Sequence, residues 1–171
     1  PGEAGGLQRQ DVMISGPVPY LWFRDHKDRI MGKKRQQRIV PLIDPLLGQL
    51  VDYLEKQNLS KTDPIFSTYG IGTHSSSDRS KRLKKHIVNM RSSFDDRHLT
   101  PYSLRHTFKD RAEKAQVPSA VIEYLMGHRS KQSSKTHKDY GTGLPPQELV
   151  DFMLAIQEVK EHGHFHGDNI S

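Results

Sequence analysis

Thr100-Pro101-Tyr102-Ser103-Leu104-Arg105-His106-Thr107-Phe108 opens a helix. Threonine offers a side-chain oxygen to the unbonded amides of a first turn. Proline at the first helical position lacks the amide that would go unbonded there. The helical pattern runs from Tyr102 to about Gln116, where Val117-Pro118 breaks it. A shorter helix is expected from Ser119 to Met126, stopped by Gly127, with His128 next.

Downstream, Arg129 to Lys138 is polar and basic and reads as a mobile loop leading to Tyr140-Gly141. Leu144-Pro145-Pro146 then starts a last helix, whose Leu149, Phe152, Met153 and Ile156 form a stripe that needs a docking surface on its own domain or on a neighbouring subunit. Upstream, Asp78 to Phe94 puts Leu83, Ile87, Met90 and Phe94 on one helical face and Lys and Arg on the other. Thr68 to Ser77 is a Gly/Ser-rich loop, and Ile65-Phe66 a short buried piece. Leu42 to Asn58 shows a core-facing helical stripe of Leu46, Leu47, Leu50, Val51 and Leu54, with Asp44 as its expected N-cap.

Nearer the start, Tyr20–Phe23 and Arg38–Pro41 read as strands flanking a basic hairpin or loop, Arg24 to Gln37. Pro1 to Gln10 reads as the end of a broken helix, with Asp11 and Val12 leading out. The expected fold class is α+β, mainly helical, with a small antiparallel sheet. Residues 1–160 form one domain, and 161–171 a flexible tail carrying His162, His164 and His166.

Lys and Arg outnumber Asp and Glu by 26 to 20 among 171 residues, a balance that suits a polyanion such as nucleic acid. There is no cysteine, which excludes disulfides, thiolate metal sites and cysteine nucleophiles. No apolar run approaches the length of a membrane span. The start has neither a basic nor an apolar signal region and no initiator Met, so the chain is expected to be a piece of something longer.

Three segments in order, Tyr102-Ser103-Leu104-Arg105-His106, Leu125-Met126-Gly127-His128 and Tyr140-Gly141, resemble the tyrosine recombinase family in its phage and prophage integrase branch. Two upstream pieces match too. Pro1-Gly2-Glu3 through Asp11-Val12 looks like the family's first motif without its leading Arg, which would sit immediately before Pro1. Gly32-Lys33, then Arg38-Ile39-Val40-Pro41, fits the family's hairpin lysine and following strand. The resemblance implies the catalytic-domain fold of that family.

Cleaving a phosphodiester with a tyrosine requires an in-line phenolic oxygen, cationic donors on the non-bridging oxygens and an acid for the leaving oxygen. The phenol's free pKa is about 10, so neighbouring cations must help it. Arginine suits the phosphate because its fork donates bidentately and stays charged. Each preorganised donor of this kind typically supplies ~3 kcal/mol of transition-state stabilisation.

The resemblance implies roles. Tyr140 attacks to form a 3′-phosphotyrosine, Arg105 and His128 hold the scissile phosphate, and Lys33 (or its neighbour Lys34) protonates the leaving 5′-oxygen. Tyr102 stands where the family most often has His; a phenol donates one hydrogen bond but carries no positive charge near neutral pH. His106 supports its neighbours. Lys34, Arg35, Arg79, Lys81, Arg82 and Lys85 are candidate DNA contacts, or simply a solvated face. No cofactor and no metal are expected; three histidines in a polar tail are more often incidental.

The expected partner is double-stranded DNA at attachment sites, bound as a homotetramer with accessory DNA-bending proteins, in the cytoplasm of a bacterial host. The expected function is site-specific DNA recombination, by integration or excision. Without the upstream Arg and an N-terminal domain, this piece is expected to be inactive. The alternatives are a non-catalytic DNA-binding module of the same fold and, more distantly, a type IB topoisomerase. Tyr20, Tyr53, Tyr69 and Tyr124 are the rival tyrosines, with Tyr124 expected in the core.

Overall fold

A computed structural model describes residues 2–26, 37–66, 81–89, 100–128 and 144–159. Helix α1 (Gly2–Gly5) leads through a 3-10 turn (Arg9–Asp11) into β1 (Val12–Met13), then β2 (Tyr20–Phe23) and β3 (Arg38–Pro41). Helix α2 (Leu46–Glu55) follows. Residues 81–89 are helical (α3). Helices α4 (Pro101–Lys114), α5 (Ser119–Met126) and α6 (Pro146–Glu158) complete the fold. It is α+β and mainly helical, as expected.

The sheet is an antiparallel meander in the order β1-β2-β3. Val12 pairs with Leu21, Leu21 with Val40, and Phe23 with Arg38. Alternation along β2 leaves Trp22 exposed and buries Phe23. The expected strands Tyr20–Phe23 and Arg38–Pro41 form as read, and β1 adds a third, shorter one. Beside it, residues 61–65 run along 7–10: Arg9 N–H donates to Asp63 O, and Ile65 N–H to Leu7 O.

Two apolar clusters flank β3. Leu7, Val12, Phe23, Leu42, Leu50, Leu54 and Ile65 join one face of the sheet to α2. Ala112, Val117, Val121, Ile122, Leu125, Leu149 and Ile156 join α4, α5 and α6. Val40 packs against both clusters and Ile39 against the second, so β3 is the wall between them. The stripe of α6 finds its docking surface within the chain, against α4 and β3. Gln157 Nε2 also donates to Asp44 O at 2.7 Å, which ties the end of α6 to the approach to α2.

Two expectations about α2 need correction. Pro45, not Asp44, occupies the N-cap, because the helix begins one residue later than a capping Asp44 requires. Asp44 still contributes from outside the cap: its Oδ1 accepts from Gly48 N–H at 3.3 Å. Leu46 is 56% exposed: it shares the face of Leu50 and Leu54 but stands in the first turn, past the end of the buried stripe.

The Thr100 cap forms as read: its Oγ1 accepts from Ser103 N–H, and Ser103 Oγ accepts from Thr100 N–H, both at 3.1 Å. In α3, Ile87 is buried and Leu83 half-buried. Met90, Phe94, the loops 68–77 and 129–138, most of the basic hairpin (27–36) and the tail from 161 lie outside the described residues. No described helix is long and apolar enough to cross a membrane.

Helix α4 ends on an unusual residue. Val117 N–H bonds Ala112 O and Gln116 N–H bonds Glu113 O, both at 3.0 Å, the pattern that normally places glycine in the left-handed region. Here Gln116 takes it, with φ +56°. A side chain there strains the backbone. Gln116→Gly is therefore expected to raise stability by roughly 0.5–1 kcal/mol after the extra unfolded-state freedom of glycine is counted. Urea denaturation, with the midpoint compared at constant slope, checks it.

Candidate functional site

Helix α4 presents Tyr102, Arg105, His106, Lys109 and Glu113 on one face, because residues three and four apart stack along a helix. That face forms one wall of a cleft of about 460 Å³; Ser119, Ile122, Glu123, Met126 and His128 form the other. Four of the expected site residues, Tyr102, Arg105, His106 and His128, thus share one cleft. Lys81, Arg82 and Lys85 sit exposed on α3 and do not line it. Tyr140, Lys33, Lys34, Arg35 and Arg79 lie outside the described residues.

His128 is delivered by the end of α5. Gly127 turns the chain with φ +70°, which glycine adopts without strain. Helices leave their last four carbonyls without intrahelical partners, and here every one is taken. Glu123 O accepts from His128 N–H at 2.8 Å and Tyr124 O from Gly127 N–H at 2.9 Å. Leu125 O accepts from Arg38 Nε at 3.1 Å. Met126 O accepts from Arg105 Nη2 at 3.0 Å. The two guanidinium contacts also suit the negative end of the helix dipole.

Arg105 Nη2 also contacts His128 Nε2. A guanidinium only donates, so the imidazole accepts at that atom. Both contacts fall on Nη2, so among the described residues Nε and Nη1 of the fork are left to an incoming ligand. Arg105 is half-buried and His128 exposed, so the pair is reachable from solvent. Tyr102 is 65% exposed at the cleft mouth, its ring edge-on to His106 with centroids 4.5 Å apart. Further along the cleft, Lys109 Nζ lies 3.2 Å from Glu113 Oε1.

A two-pronged cationic donor beside an imidazole and a phenol is chemistry for a tetrahedral oxyanion. Among the described residues no cluster of His, Asp and Glu could hold a metal ion.

Some participants were not singled out in the sequence. Lys109 and Glu113 follow Arg105 at helical spacing, a signal that was available. Glu123 comes from α5 and had none. Tyr124, expected in the core, is packed against the second cluster, and its hydroxyl accepts from Ile39 N–H at 3.1 Å.

A model of the phage integrase family matches residues 2–140. The tyrosine recombinase XerC of Neisseria meningitidis is 25% identical over 136 residues, covering 79% of this chain and 41% of that protein. XerC of Pelobacter propionicus is 27% identical over 141 residues, again 79% and 41%. The tyrosine recombinase XerD of Chlamydia muridarum is 26% identical over 121 residues, 64% and 37%. The chain spans well under half the length of these relatives. No solved structure gives a significant match.

The cleft is expected to bind inorganic phosphate, seen as shifts in the side-chain NMR signals of Arg105 and His128. Arg105→Lys keeps the charge but loses the fork, and is expected to weaken that binding by roughly tenfold, the worth of one charge-assisted hydrogen bond.

Proposed function

This chain belongs to the phage integrase family of tyrosine recombinases, and we propose that residues 1–160 are the catalytic domain of a site-specific DNA recombinase. The observation that carries this reading is the meeting of Arg105 and His128 at the mouth of one cleft, with Tyr102 beside them. In the absence of DNA the two side chains hold each other. A scissile phosphate entering the cleft replaces that contact: Arg105 gives the fork to non-bridging oxygens, and His128, turned from its acceptor role, donates to the same group.

The reaction needs no metal. The Tyr140 phenolic oxygen gives up its proton to solvent and attacks phosphorus, a 3′-phosphotyrosine bond forms, and the bond to the 5′-oxygen breaks. Lys33 gives that oxygen its proton. Attack by a 5′-hydroxyl of the partner strand reverses the step: its proton returns to Lys33, the bond from phosphorus to the phenolic oxygen breaks, and Tyr140 takes a proton back from solvent. The energy of the cleaved bond is kept in the protein–DNA ester, so rejoining needs no nucleotide cofactor. Tyr102 contributes one hydrogen bond without charge, and His106 supports it edge-on.

The substrate is double-stranded DNA at a phage or prophage attachment site, bound by four copies of the protein with accessory DNA-bending proteins, in the cytoplasm of a bacterial host. Lys34, Arg35, Arg79, Lys81, Arg82 and Lys85 contact the DNA backbone, which makes binding salt-dependent.

One observation favours a second reading: an exposed, uncharged Tyr102 where the family most often has His fits a domain that binds DNA without cutting it.

The experiment uses the longest form of the protein its gene encodes. It is incubated with supercoiled plasmid, quenched with detergent and digested, and the peptides are read by mass spectrometry. A nucleotide-bearing peptide containing Tyr140 is expected, and Tyr140→Phe should abolish it. Arg105→Ala should lower its yield by roughly 10²–10³-fold in rate, the loss typical of one removed oxyanion donor. Salt-dependent DNA binding without any adduct establishes the binding module instead. Plasmid relaxation without exchange between two sites points to the topoisomerase.

A further inference from the structure

Arg38 is a buried cation that the proposed chemistry does not use. It is 5% exposed and sits on β3. Its two terminal nitrogens grip the Glu3 carboxylate at 2.9 and 3.0 Å. Its guanidinium lies over the Phe23 ring, 4.6 Å from the centroid. The remaining nitrogen, Nε, donates to Leu125 O.

The other side of Arg38 touches the turn that makes the site. A Cβ added at Gly127 would lie 2.5 Å from both Arg38 Cζ and Nη1. The guanidinium therefore fills the space that a side chain at 127 would need. Along residues 125–128, each position is engaged by one of two arginines. Arg38 bonds the carbonyl of Leu125 and packs under Gly127. Arg105 bonds the carbonyl of Met126 and contacts the ring of His128. The two arginines close on this turn between them.

We propose that Arg38 is a positioning residue: from behind the end of α5 it fixes the turn 125–128, and through the Met126 carbonyl and His128 it sets the aim of Arg105. Glu3 acts one step further back, fixing the plane of the Arg38 fork. A flat, five-donor side chain is required, since it must serve a carboxylate and a carbonyl at once while presenting a thin face to Gly127. Tyr124 gives the same junction a second fastening through its bond from Ile39 N–H. The consequence for DNA cleavage rests on the reading of Arg105 and His128 as phosphate ligands; the positioning itself does not.

The test therefore needs no DNA. Side-chain NMR of Arg105 in the 171-residue chain reads whether its Nη2 is held: a bond to Met126 O slows rotation of the guanidinium and separates its Nη signals. Arg38→Met and Gly127→Ala are compared with the parent chain. The first removes the fork, and the second pushes it aside with Arg38 still present. Both are expected to collapse the separated Arg105 signals and to weaken inorganic phosphate binding by about tenfold, while the amide signals of α2 stay in place. Arg38→Lys, serving one acceptor instead of two, should restore part of each.

Separated Arg105 signals that persist in both variants, with only a lower melting temperature, would overturn the proposal and leave Arg38 a stability residue alone. If Arg38→Met does not fold, Gly127→Ala decides by the same signals. If the parent chain binds no phosphate, yet Arg105 loses its held signals in the variants, the phosphate reading fails and the positioning role stands.

Discussion

A charge buried beside an edge of a small sheet sets the terms for the rest of this molecule. Removing a cation from water is costly unless opposite charge and acceptors surround it. Arg38 meets that demand with three partners from three places: the Glu3 carboxylate in α1, the Phe23 ring in β2 and the Leu125 carbonyl at the end of α5. No local segment could supply all three. The need to satisfy one guanidinium therefore draws the first turn of the chain and the end of α5 onto the same strand. The apolar clusters on either side of β3 would hold without it, but their relative placement would be set by hydrophobic contact alone. Hydrophobic contact is non-directional, and hydrogen bonds to a planar fork are not.

Much of the fold was legible in the sequence wherever a residue type has one strong local consequence. Thr100-Pro101 begins α4, Gly127 ends α5 and Pro145-Pro146 opens α6 because caps and breakers act within a turn of where they sit. Tyr20–Phe23 and Arg38–Pro41 were legible as strands from their aromatic and β-branched content. Where the chain had weaker options, reading failed. β1 is too short to show alternation, the start of α2 slid past Asp44, and Leu46, in the first turn, is left exposed beyond the end of the core. The site divides in the same way. Tyr102, Arg105 and His106 share a face by helical spacing alone. The task of Arg38 was not legible, because its partners lie 35 and 87 residues away and nothing near it marks a strand arginine as buried.

The cleft carries charge of both signs along α4. Arg105, His128 and Tyr102 line one part of it; further along α4 stands Lys109 paired with Glu113, and the facing helix brings Glu123. Carboxylates repel phosphate oxygens at short range, and the Lys109–Glu113 pair cancels much of what Lys109 would attract. These charges favour an anion at the place where Arg105 and His128 meet over places further along α4. A wholly basic cleft would bind a phosphate more loosely in position, since several places along it would serve equally well.

The interlock of Arg38 with Gly127 bears on how such a protein can change over generations. A side chain at 127 collides with the guanidinium, and the loss of that guanidinium leaves the Glu3 carboxylate and the Leu125 carbonyl without it. Neither position can drift alone. The sites open to neutral variation lie elsewhere, on the exposed faces of α2 and α6. A lineage that replaces Gly127 must first have accepted a smaller, uncharged residue at 38 and a matching loss at 3. Three positions far apart in the chain thus behave as a single heritable unit.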